Sequence, residues 1–232
     1  MEILDDLKIS KLLAIFAHPD DAEAACGGTL SKYSNMGVEV GLLCVAQGDK
    51  GRGELSDREA ELQQASNVLG VSSVDTLGFK DGEFDNDLDL RKVLTEKIRS
   101  FKPDLVICPD PTAVFFSHAY VNHRDHRQTG WAVLDVVSSA TSNKKYFSNS
   151  PAHEVSHLLC AGTLEPNCVV EITEQIDKKI EAVLCYKSQI SGDYQKFSDS
   201  LLDAAKRIGS QVGLEFGEAY RYSSLSRSDE QV

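Results

Sequence analysis

The sequence predicts a three-layer α/β/α protein built on a mostly parallel, Rossmann-like sheet. Three observations carry this expectation. Short apolar runs alternate with stretches of helical period, the pattern of strands joined by crossover helices. The run Asp104–Cys108 (DLVIC) is almost continuously apolar, as a strand buried on both faces must be. Two clusters of ionisable residues, His18-Pro19-Asp20-Asp21 and Asn122-His123-Arg124-Asp125-His126, each lie beyond an apolar run. In open α/β sheets, ligands gather past the carboxyl ends of strands.

Composition narrows the class. The chain has 232 residues, of which 41% are hydrophobic and 26% charged, as in an ordinary globular protein. No repeat, low-complexity segment or composition shift divides it, so one domain over 1–232 is expected, with a polar tail fraying from about residue 223. The net charge of −12 opposes general binding to nucleic acid. Met1–Ser10 lacks the basic and apolar regions of a secretory signal. No apolar run has the length of a membrane span. Six cysteines lie mostly within apolar runs and form no CxxC pair, which points to a reducing, cytoplasmic setting.

Taken in order, Leu12–Phe16 reads as the first strand. Pro19 stops it, and Asp20 or Asp21 can cap the helix Ala22–Met36, which Gly37 ends. Val38–Ala46 is the second strand. Gln47–Glu54 (QGDKGRGE) is glycine-rich but lacks P-loop spacing. Ser56 and Glu59 match a capping box opening a helix that Gly70 closes, with Leu62, Ala65 and Leu69 near one stripe. Val74–Leu77 is the third strand, and Asp81-Gly82 marks a turn after it. Leu88–Phe101 is helical and Asp104–Cys108 is the fourth strand. Pro109–Arg127 is a loop and Gln128–Ala140 a helix. Thr141–Ala152 is irregular, Glu154–Ala161 and Cys168–Ile172 are strands, and Thr173–Lys187 and Phe197–Gly213 are helices.

The clusters suggest metal chemistry. His18 offers a nitrogen and Asp21 an oxygen, and a catalytic zinc takes about three such ligands and keeps a place for water. Asp20, between them, is free to act as a base. In a parallel sheet the loops after successive strands open on one side, so the second cluster can supply the remaining ligand as part of a His, Asp and His set. The alternative is two satisfied polar loops whose histidines bond to backbone.

Ala17-His18-Pro19-Asp20-Asp21 and Asn122–Arg127 (NHRDHR) together resemble the LmbE-like or PIG-L family of zinc-dependent de-N-acetylases. The resemblance runs from about Leu12 to Glu218. It includes Arg58-Glu59-Ala60-Glu61 with Leu69-Gly70-Val71, Pro166-Asn167 with Val170–Thr173, and Tyr186–Gln189. It implies that His18, Asp21 and His126 hold zinc, that Asp20 is the general base, and that His123 is an imidazolium facing the oxyanion. It further implies that Asp125 orients or tunes His123 and that Arg58 reaches substrate. The implied substrate is a small amino sugar or its conjugate carrying an N-acetyl group, and family members are often homo-oligomers. Two histidines and a carboxylate also suit Fe(II) or another divalent ion. The tyrosine that some relatives place two residues before the first histidine of HxDH is Val121 here, beside Tyr120. Where some carry a histidine before the later Pro-Asn, Leu164 and Glu165 stand.

The implied chemistry is coherent. Zinc lowers the pKa of bound water to about 7 and polarises a carbonyl. General-base assistance contributes ~10²–10⁴-fold, and a donor at the oxyanion roughly 3 kcal/mol. Two rivals remain at this level: an amidase of a thiol conjugate or other acyl amide, and a non-catalytic sugar- or nucleotide-binding domain. Other residues take blander expectations. Arg58 can pair with Glu54 or Glu61. Lys50 and Arg52 are solvated loop charges, and His118, His153 and His157 are structural or exposed. Tyr186 and Gln189 pack or cap a helix. Gln47–Glu54, Asp110–Val121 and Thr141–Ala152 are expected to rim the pocket. Spacing assigns no place there to Glu218 or Arg221.

Overall fold

The computed structural model describes residues 1–4, 7–116, 120–147 and 149–225. The first half forms β1 (Glu2–Ile3), β2 (Lys11–Phe16), α1 (Asp21–Asn35), β3 (Glu39–Ala46), α2 (Leu55–Leu69), β4 (Ser73–Phe79), α3 (Leu88–Phe101) and β5 (Leu105–Pro109). A small hairpin follows, β6 (Phe115–Phe116) and β7 (Tyr120–Val121), then α4 (Arg124–Asp135), which continues as a π-turn over Val136–Ala140. The rest is β8 (His157–Ala161), β9 (Cys168–Glu171), α5 (Ile176–Val183), α6 (Tyr194–Ser210) and β10 (Gly217–Ser224).

One sheet of eight strands, ordered β1-β9-β10-β8-β5-β2-β3-β4, forms the middle layer. β2 pairs in parallel with β3 on one side and β5 on the other, with Leu12 opposite Leu105 and Ala14 opposite Ile107. The chain leaves β2 toward β3 and β4, then returns to β5, so the crevice between β2 and β5 is the switch point where ligands bind in such sheets. Leu12, Ala14 and Phe16 pack one core with α1, α2 and α5, while Leu13 and Ile15 pack the other with α3 and α4. That alternation is the period-2 signature of a strand covered on both faces.

Several boundaries differ from the sequence expectation. α2 begins at Leu55, and its N-cap Glu54 receives no side-chain bond, so the Ser56/Glu59 capping box does not form. α4 begins at Arg124, inside the second ionisable cluster. β10 extends through Ser224, two residues into the stretch expected to fray, because it is clamped antiparallel between β8 and β9. Thr141–Ala152 is not a pocket rim. Its carbonyls at Thr141, Asn143, Tyr146, Phe147 and Ser150 accept from the buried Arg99 guanidinium at the C-terminus of α3. His153 Nε2 lies 2.7 Å from the Pro103 carbonyl before β5, at the amino edge of the sheet. His157 meets Tyr222 through Nδ1, 2.9 Å from its hydroxyl. His118 lies outside the described residues. All six cysteines are free and buried. No helix among the described residues is long and apolar enough to cross a membrane.

α1 is kinked at Cys26 (φ −142°). The kink frees the Gly28 and Thr29 amides, which donate to Glu218 of β10 at 3.0 and 2.8 Å. Glu218 also accepts from Thr29 Oγ1 and Tyr220 OH, and forms a buried ion pair with Lys179 of α5. Glu218 therefore acts on the helix interior rather than in the pocket, and Arg221 pairs with Glu165 at the surface. Removing one partner of a buried ion pair leaves an uncompensated charge. Glu218→Ala is expected to cost ~3–5 kcal/mol in urea unfolding, and the E218A/K179M pair should recover part of it. A loss below about 1 kcal/mol, within the range of an exposed pair, would contradict the assigned role.

Candidate active site

The loop after β2 builds the centre of the site. Asp20 occupies the N-cap of α1 in the left-handed region (φ 103°), and its side chain makes no capping bond. Such backbone costs a non-glycine residue on the order of 1–3 kcal/mol and persists where surrounding contacts impose it. One contact is Arg58, which donates to the Pro19 carbonyl at 2.8 Å and stands 3.9 Å from the Asp20 carboxylate. Arg58 is buried and pairs with neither Glu54 nor Glu61; the latter instead accepts from Ser188. Gly48 and Gly51 make room for the guanidinium, since a Cβ at either would collide with it. The glycine-rich loop thus wraps a buried arginine rather than a phosphate.

Asp21 turns back over the same loop. Its Oδ2 accepts the His18 amide at 2.8 Å and lies 3.3 Å from His18 Nδ1, while Oδ1 lies 3.0 Å from His126 Nε2. Each imidazole is steered from its other nitrogen. His126 Nδ1 lies 3.1 Å from the Asn122 side-chain oxygen, and Asn122 is itself held by the Ala113 carbonyl. His18 Nε2 lies 3.2 Å from Asp125 Oδ2. Asp125, fully buried, also takes the Gly82 amide at 2.6 Å and Arg124. The three histidine rings form a cluster with centroids 5.1 to 5.6 Å apart.

Electrostatics follow from this packing. Burial pushes the His18 imidazole down, but hydrogen bonding and charge from Asp21, with Asp81 and Asp125, override it and raise the pKa to about 9. Burial pushes Asp21 up, and His126 and His18 override it, holding the carboxyl well below the usual range. Burial and the neighbouring Asp21 charge raise Asp20 to about 8 against the pull of Arg58. Glu23, beneath the loop, is raised to about 7 by burial, moderated by the Tyr186 hydroxyl.

A metal ion fits this chemistry. His18 Nδ1 and His126 Nε2 both face the Asp21 carboxylate, and each ring's other nitrogen meets an oxygen acceptor, the arrangement that orients metal-ligating imidazoles. Metal ligation needs a neutral imidazole, so the proton that Asp21 holds on His18 would leave when a divalent cation binds. Donor atoms mutually within 4.8 Å form two sets among the described residues, His18–His123–His126 and His18–Asp81–Asp125. Asp21 touches both facing imidazoles directly, whereas His123 Nδ1 already accepts the Asp125 amide at 3.3 Å.

The residues singled out in the sequence therefore converge on one site. Asp125 reaches both histidines: its carboxylate lies 3.2 Å from His18 Nε2, and its amide donates to His123 Nδ1 at 3.3 Å. Burial and the facing His18 lower the His123 pKa, while the Asp125 and Asp21 charges pull it back up. Tyr120, beside Val121, accepts the His123 amide on its hydroxyl at 3.1 Å and lines the site. Tyr186 and Gln189, expected only to pack, line the cavity, and Lys50 lies at its polar side, paired with Glu83. Asp81 was visible only as a turn. It accepts the Gly48 and Lys50 amides and reaches within 3.7 Å of His18, joining the loops after β3 and β4 to the centre. The same rule that linked the first two clusters, loops opening on one edge, also covered the loop after β4.

Fold and site together define an α/β/α protein whose switch point carries a His/Asp group able to hold a divalent ion. The family model described as GlcNAc-PI de-N-acetylase (PIG-L) matches residues 13–137, and the chain belongs to that family. The chain is 28% identical over 227 residues to the diacetylchitobiose deacetylase of Thermococcus kodakarensis, covering 92% of this chain and 83% of that one. It is 29% identical to a probable N-acetyl-α-D-glucosaminyl L-malate deacetylase 2 of Bacillus anthracis, covering 78% and 81%. The solved N,N'-diacetylchitobiose deacetylase of Pyrococcus horikoshii superposes with a TM-score of 0.84 at 30% identity, covering 97% and 88%.

The ligand geometry generates a direct test. The purified chain is expected to take up one Zn²⁺ per chain in a chelator-competition titration. His18→Ala with His126→Ala should abolish uptake, while His123→Ala should retain it. Retention in the double variant would remove the centre, and loss in H123A would move the third ligand to His123.

Proposed function

We propose that the chain is a divalent-metal hydrolase that removes the N-acetyl group from an N-acetylglucosamine-type sugar or conjugate. The observation that carries this reading is Asp20, a carboxylate left out of helix capping and placed beside His18, Asp21 and His126. Membership in the family and the deacetylase names of the relatives give the reaction class.

In this reading His18, Asp21 and His126 hold the ion. When bound, zinc supplies Lewis-acid polarisation of the acyl oxygen and a lower pKa for water. In its ionised form Asp20 takes the proton of the attacking water and returns it to the departing amine, so amide and water become a carboxylic acid and an amine, which part as carboxylate and ammonium. Arg58, fixed on the Pro19 carbonyl, keeps the Asp20 turn in place and adds positive charge to the substrate side. His123 accepts the Asp125 amide at Nδ1, so in its neutral form the ring proton sits on Nε2, where it can donate to the developing oxyanion. Asp125 is a positioning residue that orients His18. Six buried free thiols suit a reducing cytoplasm.

Acetate release from N-acetylglucosamine glycosides is expected, lost on chelation and restored by Zn²⁺. Asp20→Asn should lower kcat by ~10²–10⁴-fold with zinc content unchanged, and His123→Ala by roughly 10²–10³-fold. Full turnover in D20N would end the base assignment. Hydrolysis of a thiol-conjugate amide with no action on any N-acetylglucosamine glycoside would select the amidase instead.

A further inference from the structure

Two chambers meet at the reactive centre. The smaller, about 380 Å³, is polar: His18, Lys50, Arg58, Asp81 and His123 line it. The larger, about 660 Å³, is walled mainly by apolar side chains, among them Phe16, Ala25, Phe116, Val183, Ile190 and Phe197. Asp20, Tyr120, His126 and Gln189 belong to both. The acetyl methyl of an N-acetyl sugar leaves nearly all of the larger chamber unfilled, since its volume falls in the range of sites for drug-sized ligands.

We propose that the apolar chamber is a substrate subsite for a hydrophobic group much larger than the acetyl methyl. The inference rests on the hydrolase reading and extends it to the substrate class. A scissile amide at the junction has substituents leaving in two directions. Sugar hydroxyls find donors and acceptors in the polar chamber, and an apolar substituent then occupies the other. Its walls come from the ends of β2, β5 and β8, the loop after β2 with α1, the β6–β7 hairpin, the start of α4, α5, and the α5–α6 connection with α6. The group is carried either as a long N-acyl chain or as an apolar aglycone. Each methylene buried there is worth roughly fourfold in affinity.

The test uses the zinc-loaded full chain and reads both binding and turnover. Calorimetry compares octyl with methyl 2-amino-2-deoxyglucoside, and octanoate with acetate, all below their aggregation concentrations. Kinetics compare N-octanoyl with N-acetyl methyl glucosaminide, and the octyl with the methyl glycoside of N-acetylglucosamine. One apolar ligand should bind at least tenfold tighter than its short counterpart, and the matching substrate should gain similarly in kcat/KM. An acyl gain assigns the chamber to the acyl chain, and a glycoside gain assigns it to the aglycone. Ala25→Phe, which fills the chamber, and Phe197→Ala, which opens its half-exposed wall, should each shrink the gain at least threefold. No gain in either arm overturns the subsite, as does a gain that both variants leave intact. Tighter apolar binding with no hydrolysis of any compound would overturn the deacetylase reading and leave the subsite standing.

Discussion

The site depends on one constraint, the parallel pairing of β2 with β5. Leu12 opposite Leu105 and Ala14 opposite Ile107 fix the register, and a shift of one residue would turn each strand's faces over. With the register fixed, the loop carrying His18 and Asp21 and the loop leading to His126 leave adjacent strand ends. Two segments about a hundred residues apart can then share one carboxylate, with His18 Nδ1 and His126 Nε2 at 3.3 and 3.0 Å from Asp21. The hydrophobic effect supplies that register, because Leu12, Ala14, Leu105 and Ile107 are all fully buried in one core.

Around the shared carboxylate, each polar group has a definite job set by hydrogen bonding. Asn122 fixes the His126 ring and Asp125 fixes the His18 ring. Asp125 also ties the loop after β4 to α4 through the Gly82 amide. Asp81 draws in the loop after β3 by accepting the Gly48 and Lys50 amides. Two strand-end loops and one helix are therefore joined by carboxylates that accept backbone amides, and the His18 ring ties in the loop after β2. The Gly82 bond to Asp125, at 2.6 Å, has the short length of a charge-assisted bond. A bound cation would add positive charge at the centre of that network.

Much of this was legible in the sequence, and the failures have physical causes. β2, β3 and β5 were readable because strands buried on both faces need continuous apolar runs. The two clusters were readable because chemistry at a sheet edge needs ionisable residues after such runs. β10 was not readable: GEAYRYSS alternates weakly, and its strand character comes from being clamped between β8 and β9. Thr141–Ala152 was misplaced because nothing local shows that Arg99 gathers its carbonyls at the opposite edge. Asp81 looked like a turn residue because it is one, and its second role exists only across the loops it joins. The capping box failed for a related reason. Once the preceding glycine-rich loop wraps Arg58, α2 starts one residue earlier than Ser56.

The last link runs through α1. Its first turn gives up a capping bond so that Asp20 stays free, and its interior gives up helical backbone at Cys26. A helix weakened at both points needs support from elsewhere. Glu218 provides it by taking the two amides released at the kink, much as an N-cap residue would. Lys179 balances the charge from α5. The segment Asp21–Ala25 is consequently a short helical piece held by Asp21's own turn at one end and by β10 and α5 at the other. α5 also contributes Val183 to the apolar chamber, so the same packing that steadies the reactive turn sets the width of the cavity beside it. Rigidity at the carboxylates and the shape of the neighbouring chamber are thus not independent in this fold.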